Sequence, residues 1–536
     1  MPILSTQIQK FIEQAIKWRE GLEPKTGTIM IHVDEIVSRV VTFYEKIRSI
    51  ISWRDQHLIR RATIERILKR RLFLKKNIKG LAEQLILELI HSGRFPNDKI
   101  PRAKIQIVQK IIDKYFYILN NCPSLPKEKT KGQLFMYILD IAACEIEEAL
   151  DPAPYLQNDI LIELMGIVMK ERIVLGKRTL ANRFISETEK ETQIYIAIQQ
   201  ALLKLDKPII LYNLLKRRYP NWINISFPDL EEITRAIHTI LDDFEKSFSH
   251  PLADKFYRIC ERYDTLFLIL GDIVFENPAK ALEILAQQKT LEEAIKKSYN
   301  QRLHTLKSRI NRMAFYSTLS IFLVNIFSLY ILEIPFTKFV MGRLYPIAQI
   351  VDVLGPTLLM FIIVKTTKPP KQENLCLVKG EIKKIVHQGE SPTFYEIEIY
   401  PKPNWFLRII NNFLYFITFC LSFGLIIYCL YRLKFPPFSY VLLILFTSLI
   451  AFTGTIIRGR AKELDITETK DSVFNLIFDP FALPISYLGK WLAARWEKIN
   501  ILNVAFDYLI DNPFLVFVEF IKSWRYFLKE KKDGLR

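Results

Sequence analysis

The chain has 536 residues, half of them hydrophobic, 12% aromatic and 25% charged, and its mean hydropathy is +0.11. A soluble enzyme with this many charges is usually more polar, so the composition disfavours a wholly soluble chain and indicates long apolar segments beside charged ones. The net charge of +18 favours polyanionic neighbours, either nucleic acid or anionic lipid. The six cysteines form no CxxC pair, so neither a disulfide framework nor a zinc site is indicated.

Helical periodicity dominates the N-terminal part of the chain. Apolar residues recur at intervals of three and four, as in AEQLILELI, and this spacing predicts one buried face on each helix. Ser186 with Glu189, and Thr290 with Glu293, fit the capping box that begins a helix. We therefore predict a cytoplasmic all-helical domain over 1–305, with a long helix that starts after Thr290 and continues into an apolar segment.

The stretch RRATIERILKRRLFLKK, residues 60–76, predicts an amphipathic basic helix. Ile64, Ile67 and Leu68 fall on one apolar stripe, and the basic residues project largely elsewhere. The residues expected to face an anionic membrane or nucleic-acid surface are Arg60, Arg61, Arg66, Lys69, Arg70, Arg71, Lys75 and Lys76. Anionic lipid is preferred over nucleic acid, because aromatic residues for base stacking are sparse here. The alternative is a core-facing stripe with a solvated basic back.

Four apolar segments are long enough to cross a bilayer as helices, which takes roughly 20 residues each. The segments are 313–334, 346–364, 413–431 and 437–457. Short connections within each pair predict two helical hairpins, which lie in regions 306–365 and 405–457. The second segment is the weakest, because it contains Gln349, Asp352 and Pro356. The alternative, four core helices of a soluble protein, is disfavoured by the nearly uncharged composition of the other three.

Basic residues cluster at one end of every apolar segment. These flanking cations are Arg302, Lys307, Arg309, Arg312, Lys365, Lys368, Lys371, Lys402, Arg408, Arg458, Arg460 and Lys462. The short connections carry only Lys338, Arg343, Arg432 and Lys434. Since cytoplasmic loops carry the excess of Lys and Arg, both termini and the segment between the hairpins are predicted to face the cytoplasm.

Two regions outside the spans carry signals of their own. In 366–404, the apolar alternation in YEIEIY and the turn signal HQGES predict a small β-hairpin insert. In 458–536, one helical face is apolar, and Trp491 and Trp524 suit the headgroup level of a bilayer. Amphipathic helices in the cytoplasmic interface are therefore predicted, with packing on the N-terminal domain as the alternative.

No catalytic or cofactor-binding signature occurs in the sequence. The phosphate-loop, dinucleotide-binding, nucleophile-elbow and H-E-x-x-H patterns are all missing, so no enzyme activity, metal or cofactor is predicted. Glu88 and His91 form a single E-x-x-H pair, which is too little for a di-metal site. Asp140, Cys144 and Glu148 lie four apart on one helix, and a solvated charged face explains them better than metal binding.

Polar residues inside the spans are the better functional signal. Asn325 lies near the middle of the first span, and Glu333 and Asp352 lie toward the predicted outer side. Intramembrane ionisable groups are costly and are usually paired or functional. The modest interpretation is an ion pair or hydrogen bond that closes the hairpin, with Arg343 in the connection as a partner; a transport path is the alternative.

A stripe of small residues runs along the last span. Thr447, Ala451 and Thr455 recur at a spacing of four, which would let another helix approach closely.

Both ends of the chain resemble a group of bacterial proteins. HLIRRATIERILKRRL, AEQLILELIHSGRF and PISYLGKWLAARWEKINILNVAFDYLIDNPF look like segments of large uncharacterised bacterial multi-pass membrane proteins with a helical cytoplasmic N-terminal region. The resemblance implies the bacterial cytoplasmic membrane as the location, and it carries no functional residues.

The sequence thus predicts a membrane-anchored scaffold or interaction protein, mainly α-helical, with a basic cytoplasmic domain. Its expected partners are the lipid bilayer and anionic headgroups, with a protein partner or a second copy also in view. A small transporter or channel component is the first alternative, and a membrane tether for nucleic acid is the second.

Overall fold

The computed structural model divides the chain into two compact units. It describes residues 4–21, 29–32, 56–74, 80–123, 128–176, 185–340, 342, 345–367, 370, 372–387, 394–397, 405–466, 473–499, 520, 523–524, 527–528 and 530–531. The N-terminal unit comprises Ile3–Leu282, Glu390–Glu398 and Ala505–Arg536. The span unit comprises Met1–Pro2, Glu283–Gly389 and Ile399–Val504.

The N-terminal unit is built from helices, as the apolar periodicity predicts. Its helices are α1 (Thr6–Gly21), α2 (Gln56–Leu74), α3 (Leu81–His91), α4 (Lys104–Asn121), α5 (Glu128–Leu150), α6 (Pro152–Arg172), α7 (Glu187–Leu202), α8 (Lys207–Arg218), α9 (Phe227–Phe248) and α10 (Ala253–Glu276). The short helix α11 (Pro278–Ala286) contains the boundary between the units. Trp222, Tyr212 and Phe256 are among the largest fully buried side chains of this core.

The two predicted capping boxes have different outcomes. Ser186 caps α7: its hydroxyl accepts from the Glu189 amide, and the Glu189 carboxylate accepts from the Ser186 amide. The box at Thr290 is wrong, because the following helix, α12 (Gln288–Ser328), already begins two residues earlier. The Thr290 hydroxyl instead donates to the carbonyl oxygens of Ile284 and Gln287, which ties the new helix to the end of α11.

The span unit contains four helices that are long and apolar enough to cross a membrane. The first is α12, which continues through a π-helical turn (Leu329–Glu333) into α13 (Ile334–Val340). The others are α14 (Pro346–Thr366), α16 (Trp405–Arg432) and α17 (Pro437–Ala461). In the most apolar 18-residue stretch of each of these helices, only 11% to 28% of the residues are buried. Most of the apolar surface of these helices is therefore exposed, whereas the core helices of the soluble alternative would bury it.

The predicted β-hairpin insert is wrong. Its first half forms helix α15 (Gln372–Val386), because Val378, Ile382 and Ile385 recur at helical spacing and are buried. Lys383 on this helix donates to the Glu292 carboxylate of α12, with Nζ 2.7 Å from Oε1. Strands do form, but they are β1 (Ile173–Leu175) and β2 (Tyr395–Ile397), which pair in parallel within the N-terminal unit. Because β1 lies more than 200 residues before β2, no local turn sequence could indicate that the two strands pair.

Helix α18 (Val473–Ile499) packs against α16 and α17 within the span unit. The Ser422 hydroxyl of α16 donates to the Phe481 carbonyl oxygen at 3.0 Å. At Gly489 an added Cβ would lie 1.9 Å from the Ser448 carbonyl oxygen, so this crossing requires glycine. Ser422 and Ser448 lie near the middle of α16 and α17, so α18 packs along these two helices, whereas the sequence predicted an amphipathic helix lying in the membrane interface. Most of the later tail lies outside the described residues.

Candidate functional site

Two carboxyl side chains from different helices lie side by side inside the span unit. Glu333 ends the π-helical turn and is 1% exposed, and Asp352 lies on α14 and is 6% exposed. We call these two residues the carboxyl pair. The fully buried Ser439, near the start of α17, donates its hydroxyl to Glu333 Oε1 at 3.4 Å. Three apolar helices thus converge on two ionisable groups.

The pair is incompletely satisfied. The Asp352 side chain lies within reach of Glu333 and Ser439, yet neither of its oxygens makes a hydrogen bond of ordinary geometry to a described residue. Among the described residues, no basic side chain is paired with either carboxyl. Lys338, one turn beyond Glu333, is exposed, and Arg343, the predicted ion-pair partner, lies outside the described residues. The hydrogen bond that the structure shows at Glu333 comes from Ser439 of α17, in the other helix pair, so it is not the predicted contact within the first hairpin.

Both helices that carry the pair lose regular backbone bonding beside it. Pro335 has no N–H to donate to the carbonyl four residues earlier, which explains a π-helical turn over Leu329–Glu333. Pro356 lies inside α14 and likewise cannot donate to the Asp352 carbonyl. Such interruptions are typical of ion sites in membrane helices, because they free oxygen atoms for a ligand.

Further unpartnered polar atoms lie deeper in the same bundle. The Asn325 amide nitrogen donates to the Val353 carbonyl at 3.4 Å, while Asn325 Oδ1 has no described partner. Ser328 Oγ and Ser448 Oγ are also buried without a described partner. Asn325 is eight residues before Glu333, or about 12 Å along a helix at 1.5 Å per residue. Polar atoms therefore extend from the pair toward the middle of the span.

Beyond that level the bundle is closed by apolar packing. Met360 of α14 is fully buried. On α17, a Cβ added to Gly454 would lie 2.8 Å from Ile363 Cγ2, so these helices meet almost without a gap. The interior thus has a polar half, at the end where each helix pair is connected, and an apolar half at the other end.

The predicted small-residue stripe is offset from the close contacts. Thr447 and Ala451 are half-buried, and Thr455 is exposed with its hydroxyl donated to the Phe452 carbonyl. The close approaches on this helix involve Ser448 and Gly454. Both faces of this helix carry small residues, so residue size alone could not predict which face packs against a neighbouring helix.

The basic helix α2 has most of its described arginines bound within the N-terminal unit. Arg61 is 8% exposed and forms a bidentate ion pair with Asp206. Arg60 reaches Asp151 at 3.0 Å, and Arg70 and Arg71 both pair with Glu88, which is the acid of the single E-x-x-H pair.

The remaining members of the predicted basic surface differ in their placement. Lys69 is exposed, Arg66 is half-buried with a polar contact of its own, and Lys75 and Lys76 lie outside the described residues. The apolar stripe of Ile64, Ile67 and Leu68 is buried, as the core-facing alternative predicts.

The predicted charged face on α5 is wrong. Cys144 is fully buried, and Glu148 binds Lys216 with 3.1 Å between the charged atoms. Burial is the main cause that raises the pKa of Asp140, to about 7. Within the part of the chain that the structure describes, no cluster of His, Cys, Asp or Glu could hold a metal ion.

Comparisons with known proteins give no function to transfer: no protein-family model matches the chain, and no curated protein or solved structure matches it significantly. Sequence reasoning found Asn325, Glu333 and Asp352 but missed Ser439, Ser448 and Gly454. A serine two residues after Pro437 could have been noticed, but serine is common in membrane helices and carries little signal alone.

Proposed function

We propose that the chain is a multi-pass protein of the bacterial cytoplasmic membrane that binds a cation at the carboxyl pair and passes it across, as a small transporter or a channel component. The observation that carries this proposal is the burial of Glu333 against Asp352 without a described basic partner. Two adjacent carboxylates in a low-dielectric interior repel each other strongly, so such a pair either takes up a proton or binds another cation.

The membrane location is supported by the four apolar helices and by their exposed side chains. The excess of flanking Lys and Arg supports cytoplasmic termini, with the short connections on the opposite face. The carboxyl pair then lies near the outer face. The apolar contact of Gly454 with Ile363 would close the bundle on the cytoplasmic side.

The hypothesis of a membrane-anchored scaffold, which the sequence favoured, loses some of its support. It relied on available binding surface, and four arginines of α2 are already bound to carboxylates of the N-terminal unit. Among the described cations of α2, only Lys69 and Arg70 are exposed, and Arg70 is already paired with Glu88, so binding of lipid or nucleic acid through α2 would have to compete with that ion pair or use Lys69.

Cation flux in proteoliposomes tests the proposal. Purified full-length protein is expected to carry protons, sodium or potassium down an imposed gradient, and Asp352→Asn is expected to abolish that flux. The matched control is Glu292→Gln, which removes an acid from the start of α12, far from the carboxyl pair. Equal flux in wild type and Asp352→Asn, or no flux of any of these cations, would overturn the proposal.

A further inference from the structure

The cation at the carboxyl pair can be identified from the atoms that surround it, an inference that rests on the proposed function. We propose that the pair is a proton-carrying site: Glu333 and Asp352 share one exchangeable proton, which enters from the end of the bundle where the helix pairs are connected.

The first support is the proximity of the two buried carboxyls. Glu333 and Asp352 lie close enough to interact, although no hydrogen bond of ordinary geometry joins them. Two ionised carboxylates cannot hydrogen-bond, because both are acceptors only. One proton between them supplies the donor and removes one of the two buried negative charges. The proton is also the one cation that needs no space beyond the pair itself.

The second support is the neutral surroundings. Ser439 provides a hydroxyl at Glu333, and Asn325 provides an amide beside Val353, directly after Asp352. The charged and titratable side chains on the surrounding elements are Lys338, Tyr345, Arg432, Lys434 and Tyr440. The three cations are exposed, and the two tyrosines are half-buried. Among the described residues, the pair therefore contacts no cation that would keep both carboxyls ionised.

The third support is a set of buried polar atoms without a described partner on the same helices. Asn325 is 2% exposed, and its Oδ1 is free, as are Ser328 Oγ and Ser448 Oγ among the described contacts. Buried polar atoms of this kind are typically served by water, and water can relay a proton. Toward the other end of the bundle, Gly454 of α17 packs closely against Ile363 of α14. The end with the buried polar atoms is therefore the side from which a proton would enter.

In the step proposed, an O–H bond of a hydronium ion breaks, leaving water, and a new O–H bond forms at a carboxylate oxygen of the pair. Release breaks that O–H bond and transfers the proton to a water molecule, which becomes hydronium, so the carboxylate is restored. No oxidation or reduction is involved. Passage to the other side requires α14 and α17 to separate at Gly454 and Ile363.

Infrared spectroscopy of the full-length protein in lipid vesicles tests the inference directly. A protonated carboxylic acid has a carbonyl stretch that shifts in D2O. We expect wild type to show one more such acid per chain than the double variant Glu333→Gln/Asp352→Asn. Glu292→Gln should leave the difference unchanged, and Glu333→Asp, which keeps the acid, should retain the extra band.

Flux measurements separate failure of this inference from failure of the proposed function. Proton flux that is lost in Asp352→Asn, together with the extra acid band, supports both. The band without flux of any cation supports the proton site and removes the transport proposal. Sodium or potassium flux that depends on Asp352, without the extra band, keeps the transport proposal and overturns the proton site. Equal band intensity in wild type and double variant, with no flux, overturns both.

Discussion

Two buried acidic groups, one in each unit, have opposite surroundings. In the N-terminal unit, the Glu145 carboxylate is 2% exposed and accepts hydrogen bonds from Lys114, Tyr115 and Trp222 at 2.6 to 3.0 Å. Lys114 also donates to the Trp222 carbonyl and lies 4.6 Å from the centre of the Trp222 ring. Every polar atom of this cluster has a partner.

The carboxyl pair is just as buried, but Asp352 has no hydrogen bond of ordinary geometry to a described residue. A buried charge that is fully paired fixes one packing of a core, whereas a buried acid without its donors remains available to a ligand. The Glu145 cluster thus shows how a buried charge stabilises a fold, and the carboxyl pair shows how a buried acid stays available to bind a proton or another ligand.

The largest expected effect comes from removing the partner of the satisfied acid. Lys114→Met should destabilise the N-terminal unit by about 3–5 kcal/mol, because Glu145 would remain buried without its cation. Asp352→Asn should leave stability unchanged or raise it, since no described ion pair is lost. Pulse proteolysis of both variants in urea measures the two changes. Similar destabilisation by both would break the comparison.

An acid of the N-terminal unit that is only partly satisfied gives the next effect. Burial raises the pKa of Asp264 to about 7, although Lys204 opposes the shift. Because the folded state holds this proton more tightly than the unfolded state, the stabilisation is complete below about pH 4 and is lost as pH rises through about 7.

The variant Asp264→Asn should therefore be more stable than wild type at pH 8, by on the order of 2–4 kcal/mol, with little difference at pH 4. Unfolding of the N-terminal unit by urea, followed across that pH range, measures the difference. A constant difference between variant and wild type at all pH values would show that Asp264 does not titrate there.

The basic helix α2 supplies a matched pair of cations. Arg61→Gln should cost about 1.5–3 kcal/mol, because it breaks a charged hydrogen-bonded contact with Asp206 in a buried position. Lys69→Gln, on the same helix but exposed, should leave stability unchanged and is the variant that reports on lipid binding. Thermal unfolding and flotation with anionic vesicles measure the two properties. Loss of vesicle binding in Lys69→Gln would restore the membrane-surface interpretation of α2.

The smallest expected effect concerns packing within the span unit. Gly489→Ala places a Cβ against the Ser448 carbonyl and should weaken the contact of α18 with α17 by about 1–3 kcal/mol. Gly424→Ala, where an added Cβ meets no atom within 4 Å, is the control. Cysteines placed on the two helices should cross-link less in Gly489→Ala than in the control. Equal cross-linking would mean that the helices separate readily.

The sequence by itself determined the helical class, the four apolar segments and the polar residues within them. Each of these is written in local patterns: periodic apolar positions, uninterrupted apolar length, and ionisable residues where the composition is otherwise apolar. The Ser186 capping box was predictable for the same reason, since both of its partners lie within one helical turn.

Only the tertiary structure decided which of these residues meet. Strand β2 pairs with β1 more than 200 residues earlier, so no local turn could reveal it. The cations of α2 were visible in the sequence, but their acids are Glu88 on α3 and Asp151 and Asp206, which directly precede α6 and α8. Glu333 and Asp352 likewise become one site because α14 packs against the helix that carries Glu333, and α17 adds Ser439 to it. Periodicity tells which face of a helix is buried, whereas the partner on that face is set by contacts between segments distant in the chain.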